Sequence, residues 1–409
     1  MSSTKDAYQV GKERVEWVYK HMPVMQQIRQ QYEKELPFRD LKIAICLHLE
    51  PKTANLGLNL KAGGAEVIMC PSNPLSTQDS TVTYLKQHLT CFGERAESPK
   101  SYQQNMLDTL DHKPDLIIDD GAQLIVAMHR ERRELFDHVI GLSEETTGGV
   151  NIIQAIERKE GLHFPCIGVN NADMKHLFDN RYGTGQSTVE GLLAATNLTV
   201  CGKVVTVAGY GWVGKGVAMR MQGLGAEVIV TEIDPIKAIE ARMDSFKVMP
   251  MQDAAQLSDF IITATGELNV VDEKDYKLMK DKCILSNVGH FNNEINIQAL
   301  RERAIKTKIV RADVEEFIMP NNKSIYLLAN GELVNIAIGQ GHPAEIMDMT
   351  FALQSLAPKY LLENRTKLKP QFYPMPDNID QQVAKIKLQS LNIKIDQLTS
   401  EQLEYRDAY

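Results

Sequence analysis

The run VVTVAGYGWVGKGVAMRM (204–221) constrains this chain more than any other. It sets Gly209, Gly211 and Gly214 as GxGxxG between an apolar, strand-like stretch and a helix-like one. In such a loop the first glycine allows a tight turn, the second lets backbone approach a pyrophosphate, and the third lets helix and strand pack closely. A glycine triplet alone is weak, but a second apolar run, AEVIVTE (226–232), follows and ends in Glu232. A carboxylate about 20 residues past the loop can accept both ribose hydroxyls of a dinucleotide and repel a 2′-phosphate. The pattern predicts a Rossmann site with NAD as cofactor; Lys237, shortly after Glu232, weakens the bias against NADP.

Other runs repeat the theme: LKIAICL (41–47), AEVIMC (65–70), DLIIDD (115–120), KVVTVAG (203–209), DFIITAT (259–265) and CILSNV (283–288), separated by helical stretches. Alternation of this kind argues for βαβ units and doubly wound parallel sheets. A faint internal echo, LKAGGAEVI (60–68) against MQGLGAEVI (221–229), points to two Rossmann-like domains. Glycines in RYGTGQS (181–187) and the Gly/Pro-dense GQGHP (339–343) mark the seams. The expected fold is α/β, with an NAD-binding domain (184–340) inserted in a split substrate-binding domain (1–183 and 341–389), then a short terminal segment (390–409).

A net charge of −8 with no long Lys/Arg block argues against a nucleic-acid partner, since such binding neutralises phosphates. The start lacks a signal-peptide pattern and no segment has the apolar length of a membrane span, so the expectation is a cytoplasmic protein with no membrane partner. Six scattered cysteines lack metal-ligand spacing, so no metal site is expected and the thiols read as buried or idle.

Polar clusters fall where parallel strands should end, the usual place for ligands in open α/β sheets. They are His48, Glu50 and Lys52; Ser76, Thr77 and Asp79; Asp119, Asp120 and Gly121; and Glu144 and Glu145. Each has an ordinary explanation taken singly: helix caps for Ser76 and Asp79, a solvated turn for DDG, a capping run for SEET. Lys175 and Asp179, followed by Asn180, are i, i+4 neighbours on a helix and could be only a surface salt bridge. His290 and His342, taken alone, could be structural histidines.

Read together, CLHLEPKTA, NPLSTQD, DDG, SEETT, KHLFDNRYGTGQS, VAGYGWVGKG, TEIDP, GHFNNEI, LVNIAIGQGHP and MDMTFALQ occur in order across nearly the full length. In this the chain resembles the S-adenosylhomocysteine hydrolase family. The resemblance implies reversible cleavage of a nucleosyl homocysteine thioether by 3′-oxidation with NAD, elimination, water addition and re-reduction, usually in a homotetramer. It also implies residue roles. Lys175, with Asp179 and Asn180, would handle the 3′-hydroxyl proton, as an amine whose pKa burial lowers. Asp120 would be the base for C4′–H, Glu145 the holder of the ribose hydroxyls, and His48 and His290 proton carriers around C5′. His342 matches a gate on the homocysteine side; Thr53 and Ser76 fall with the substrate-binding positions. Met347 and Phe351 match the wall of the purine pocket, and Thr146, Thr147, Glu232 and Asn335 match NAD contacts.

HLEPK (48–52) departs from the common His-x-Thr-x-Glu/Gln form of that family, whose last residue accepts from adenine's amino group. Hypoxanthine reverses adenine's edge, with an acceptor at O6 and a donor at N1, so Lys52 to O6 and Glu50 to N1–H would both be satisfied. The resemblance here is to the branch acting on S-inosylhomocysteine. If Glu50 and Lys52 instead pair with each other, the adenosyl thioether remains the substrate.

Further departures are Gly148 where a third threonine is usual, Asn171 for an aspartate, Thr184 for a cysteine, and an ending at EYRDAY without the longer tail of many relatives. They bear on cofactor affinity and assembly. An NAD-dependent 2-hydroxyacid dehydrogenase shares the inserted-domain plan but would want an arginine clamp beside a His/Glu pair. A non-catalytic NAD-binding protein would leave Lys175, Asp120 and the histidines without purpose.

Overall fold

In the computed structural model, which describes residues 6–408, fifteen strands form two sheets. Six come first: β1 (Lys42–Leu47), β2 (Glu66–Pro71), β3 (Thr90–Cys91), β4 (Leu116–Asp119), β5 (Gly141–Glu144) and β6 (Cys166–Gly168). Eight follow in the middle: β7 (Val204–Ala208), β8 (Glu227–Thr231), β9 (Lys247–Val248), β10 (Phe260–Thr263), β11 (Cys283–Asn287), β12 (Lys306–Arg311), β13 (Val314–Ile318) and β14 (Ser324–Leu328). The last, β15 (Phe372–Pro374), pairs with β6. The first sheet, in the order β15-β6-β5-β4-β1-β2-β3, is therefore built from both ends of the chain, and the second, β12-β13-β14-β11-β10-β7-β8-β9, from its middle.

Both are doubly wound, Rossmann-like sheets. β1 explains why the sequence reads as a continuous apolar run: Ile43 and Ile45 enter one core and Ala44 and Cys46 the other, all fully buried. A parallel strand covered by helices on both faces needs this pattern. The two segments of the internal echo occupy equivalent places, each leaving a helix through a glycine of positive φ (Gly64 at +94°, Gly225 at +84°) into the second strand of its sheet.

The strand order reverses between β1 and β4 in one sheet and between β7 and β10 in the other. Crevices open at such reversals, beyond the carboxyl ends of the strands. His48 follows β1 and Asp120 follows β4, while the glycine loop follows β7. The two crevices share one cavity of about 470 Å³, lined by His48 and Asp120 from one side and Gly211 from the other.

One sequence expectation changes form. The glycines of RYGTGQS do not interrupt a helix: His176–Gly183 is a π-helix that runs directly into the α-helix Thr184–Thr196. Those glycines serve close approach, since a Cβ on Gly185 would meet the Gly216 carbonyl oxygen at 2.6 Å and one on Gly183 the His342 ring at 3.0 Å. Among the described residues no helix is long and apolar enough to cross a membrane. Five cysteines are buried and Cys201 is exposed; all are free.

Candidate active site

The glycine loop fits a dinucleotide by three separate geometries. Gly209 has φ +94° and lies against the Ala264 carbonyl, so a side chain there would be both strained and blocked. A Cβ on Gly214 would sit 1.9 Å from the Gly209 carbonyl oxygen, so only glycine lets the helix begin so near the strand. At Gly211 a Cβ would meet nothing within 4 Å; the space is cavity, the room a pyrophosphate needs. Glu232 braces the loop, accepting from the Tyr210 amide (2.7 Å) and from the amides of Ile233 (2.7 Å) and Asp234 (3.0 Å). Thr147, Lys237 and Asn335 line the same cavity. Asn335 Oδ1 is buried without a partner, an acceptor left open for a bound amide. Thr146 also lines it but is committed to the fold: it caps the helix Thr147–Glu160 and donates to Glu144 Oε1 at 2.9 Å. At Gly148 a Cβ would meet Phe291 and His290 only at ordinary contact distances of 3.5–3.7 Å, so a β-carbon is not sterically excluded there.

Across from the loop, the π-helix holds a buried polar group. Lys175, 3% exposed, donates to Asn180 Oδ1 at 2.8 Å and lies 3.4 Å from Asp179 and 3.7 Å from Glu145. It is not the surface salt bridge its spacing allows. π-helical turns frequently occur at functional sites. Asp179 also takes His342 Nδ1 at 2.8 Å and the Thr350 hydroxyl at 2.8 Å. His342 is fixed at its other nitrogen by Thr184 Oγ1 (3.1 Å). Asn180 is held by Asn170, which in turn donates to Thr147.

The proton chemistry of Lys175 differs from the sequence expectation. Burial does pull the amine down, but Asp179, Glu145 and Asp120 together raise it above the ordinary lysine value, so in the ligand-free site it is an ammonium. Asp179 is the i+4 neighbour that spacing had shown, but Glu145 and Asp120 arrive from two other places in the chain, which local spacing could not reveal. Glu145 is raised as well: burial pushes its carboxyl up to about 8, with Lys175 and the Gln354 amide (2.7 Å) pulling against it.

The third group lies at the β1/β4 reversal. His48 Nδ1 bonds Ser76 Oγ at 2.6 Å, and Nε2 lies 3.4 Å from Asp120 Oδ2, which also accepts from Ser72 at 2.7 Å. Ser76 is thus a partner for His48 rather than a helix cap. Burial would raise the Asp120 carboxyl, but His48, His290, Ser72 and Lys175 hold it below its ordinary value, so it is a carboxylate. Burial lowers His48, leaving it neutral near pH 7. Asp120 Oδ1 is buried and unpartnered, the arrangement of a base awaiting a proton. His290 crosses from the other sheet to Gly121, where a Cβ would lie 2.4 Å from its Nε2.

Glu50 and Lys52 are 2.6 Å apart. Glu50 caps the helix Pro51–Ala62, with Oε1 facing the amide and hydroxyl of Thr53 and Oε2 facing the amide and ammonium of Lys52. All four lone-pair directions of the carboxylate therefore meet protein donors. Lys52 spends a second N–H on the Gln340 carbonyl (3.0 Å), keeping a third. Met347 and Phe351, on the helix Ala344–Glu363, line the cavity with them.

Several supporting residues escaped the sequence reading: Ser72, Asn170, Thr350 and Gln354. Thr350 and Gln354 had a signal, being polar residues one turn apart on a buried stretch of helix.

The cavity joins a Rossmann loop to buried acid, base and amine groups in a second doubly wound unit, which defines an NAD-dependent enzyme. Family models described as "S-adenosyl-L-homocysteine hydrolase" and "S-adenosyl-L-homocysteine hydrolase, NAD binding domain" match residues 4–137 and 180–341. The chain is 52% identical over 97% of its length, and 95% of the relative's, to S-inosyl-L-homocysteine hydrolase of Methanothermobacter thermautotrophicus. It is 50% identical, with coverage of 98% and 95%, to adenosylhomocysteinase of Pyrococcus abyssi. Among solved structures, NAD-bound 3-phosphoglycerate dehydrogenase of Entamoeba histolytica overlaps 81% of this chain and 97% of that one at 14% identity and a TM-score of 0.44. The chain belongs to the S-adenosyl-L-homocysteine hydrolase family, and its cofactor is NAD.

Proposed function

We propose that this enzyme reversibly hydrolyses a purine-nucleosyl homocysteine thioether, with S-inosyl-L-homocysteine favoured over S-adenosyl-L-homocysteine, and that it works as a homotetramer in the cytoplasm. The observation that carries the reaction is one cavity holding the Lys175–Asp179–Asn180 group, the unpartnered Asp120 carboxylate oxygen and the glycine loop. A C5′ thioether is a poor leaving group and the C4′ proton beside it is not acidic; a ketone at C3′ makes that proton removable.

Bound at the loop, NAD supplies hydride acceptance and return at the sugar's 3′ carbon, together with a positive charge. The carboxylates around Lys175 hold it protonated, and a positive charge in the cleft opposes them, moving the amine towards the neutral form that can take the 3′-hydroxyl proton. Asn180 and Asp179 fix the amine's position. Glu145, steadied by Gln354, orients the ribose hydroxyls. Asp120 takes the C4′ proton through Oδ1, and neutral His48, hydrogen-bonded to Ser76, gives or takes a proton at the sulfur or water on C5′.

If Glu145 acts as a carboxylate on the ribose, its raised pKa gives a sign. Protonated below about pH 8 and charged above, it should make kcat/KM climb through about pH 8, and Glu145→Gln should flatten that limb. A pH profile of thiol release checks this.

Base preference rests on the third N–H of Lys52. Facing hypoxanthine it meets the O6 acceptor; facing adenine's amino group it meets a donor, a mismatch of roughly 1–3 kcal/mol, or about 5- to 150-fold. Glu50, with its lone pairs engaged, supports Lys52 rather than reading N1–H. The adenosyl reading is favoured by the same 2.6 Å pair, if that pair closes on itself and turns away from the base. Homocysteine release from both thioethers, for wild type and Lys52→Gln, separates the two. Faster release from the inosyl compound, with the preference lost in the variant, supports the proposal; faster release from the adenosyl compound overturns it.

A further inference from the structure

Asp120 can serve as a base only while the turn that follows it keeps its shape, and the local sequence does not favour that shape. Gly121 (φ +73°) and Ala122 (φ +57°) are both left-handed. Glycine adopts such a conformation freely, but alanine is disfavoured there because its Cβ crowds the following carbonyl. The turn also has little room to relax outward, since His290 packs against Gly121. Something outside the turn must hold it.

The holder is a carboxyl group that the reaction has not yet used. Glu144 ends β5 and is fully buried. Its Oε2 accepts from the Ala122 amide at 3.0 Å and its Oε1 from the Gly121 amide at 2.9 Å. The same Oε1 accepts from the amide (3.0 Å) and the hydroxyl (2.9 Å) of Thr146, which lines the cavity beside the glycine loop. Room for this carboxyl exists because residue 149 is glycine; a Cβ there would overlap Oε1. Asp119, the other acid at the turn, cannot substitute. It is spent on the amides of Leu124 (2.9 Å) and Ile125 (3.1 Å), at the start of the helix Gln123–Glu131. Burial, then Asp119 and Asp120, push the Glu144 carboxyl well above its ordinary value, while the amides of Thr146 and Gly121 oppose them. Its hold on the turn needs only acceptor oxygens, which a carboxyl offers in either protonation state.

We infer that Glu144 is a positioning residue for Asp120: it holds the left-handed Gly121–Ala122 pair in place and, through Thr146, ties that turn to the cofactor side of the cavity. The inference rests on the hydrolase reading above, in which Asp120 takes the C4′ proton. It gives a role to a buried acid that touches neither the Lys175 group nor the histidines.

Glu144→Gln tests it, because the change keeps the shape and one acceptor. The amide oxygen takes the Oε1 place, where three donors converge, so its NH2 faces the Ala122 amide, donor against donor. In the NAD-loaded variant, inosine or adenosine should still generate reduced cofactor, since Thr146 and the Lys175 group keep their partners. For thiol release, kcat should fall about 10- to 100-fold, the cost of a misplaced reacting group, with the thioether KM within about threefold of wild type. Adding Ala122→Gly to Glu144→Gln should recover about fivefold or more of the loss, because glycine needs no brace in the left-handed region. The same change with Glu144 intact should give no gain. Unchanged thiol release in Glu144→Gln would overturn the inference, as would a loss that Ala122→Gly fails to reverse. A variant that loses reduced cofactor and thiol release together, or that no longer retains NAD and a native melting temperature, would also overturn it, showing that Glu144 only supports the fold. No thiol from either thioether with the wild type would instead sink the hydrolase reading.

Discussion

Replacing Lys175 by methionine is expected to lower kcat by about 10²- to 10⁴-fold, the range for a positioned general acid–base, and to abolish NADH formation when nucleoside is added. The argument starts from burial. Lys175 is 3% exposed and bonded to Asn180, with Asp179 and Glu145 within 3.7 Å, so no exposed side chain or bulk water can take over its proton. Breaking a buried ion pair also costs stability, about 3–5 kcal/mol in general, and the low end applies because Asp179 keeps His342 and Thr350. Loss of activity could therefore reflect a damaged fold, and Lys175→Arg separates the causes. A guanidinium restores the positive charge among the carboxylates but cannot give up a proton under working conditions. Lys175→Arg should melt near the wild type while remaining inactive. Activity within tenfold of wild type in the arginine variant would remove Lys175 from the proton-transfer step.

How much of this could be read from sequence depends on whether the information was local. The glycine loop was legible because two of its glycines answer to local backbone: Gly214 to the Gly209 carbonyl, and Gly209 to its own positive φ. The seven apolar runs that marked strands were legible because they are central and covered on both faces. Two of the strands that escaped show why: β5 is Gly-Leu-Ser-Glu, half polar, and β12 is exposed along all six residues. Their strand character comes from pairing with neighbours, which one segment cannot announce. The Lys175 group shows the same limit in chemistry. KHLFDN supplied the amine, the acid and the amide, but Glu145 follows β5 and Asp120 follows β4, and their convergence joins Asp179 in raising the amine against burial.

Asp120→Asn should divide the reaction where Lys175→Met stops it. The substitution keeps shape, and the amide oxygen can still accept from Ser72, so the pocket wall and the nucleoside site are retained. What disappears is the charge that His48 and His290 face and the free Oδ1 that can accept a proton. In the proposed division of roles, oxidation at C3′ depends on the Lys175 group across the cavity, so adding nucleoside or thioether should still produce the absorbance of reduced cofactor. Release of homocysteine needs the C4′ proton removed, and kcat for thiol release should fall by about 10²- to 10⁴-fold. Reduced cofactor would then accumulate during turnover instead of being recycled. Stopped-flow absorbance alongside a thiol assay reads both halves in one sample. If the variant loses reduced-cofactor formation and thiol release together, Asp120 belongs to the oxidation step and the partition of roles between the two walls of the cavity is wrong. If it loses neither, the unpartnered oxygen at β4 is a structural feature and the base for C4′–H must be sought at His48, the nearest proton carrier that shares its hydrogen-bonded cluster.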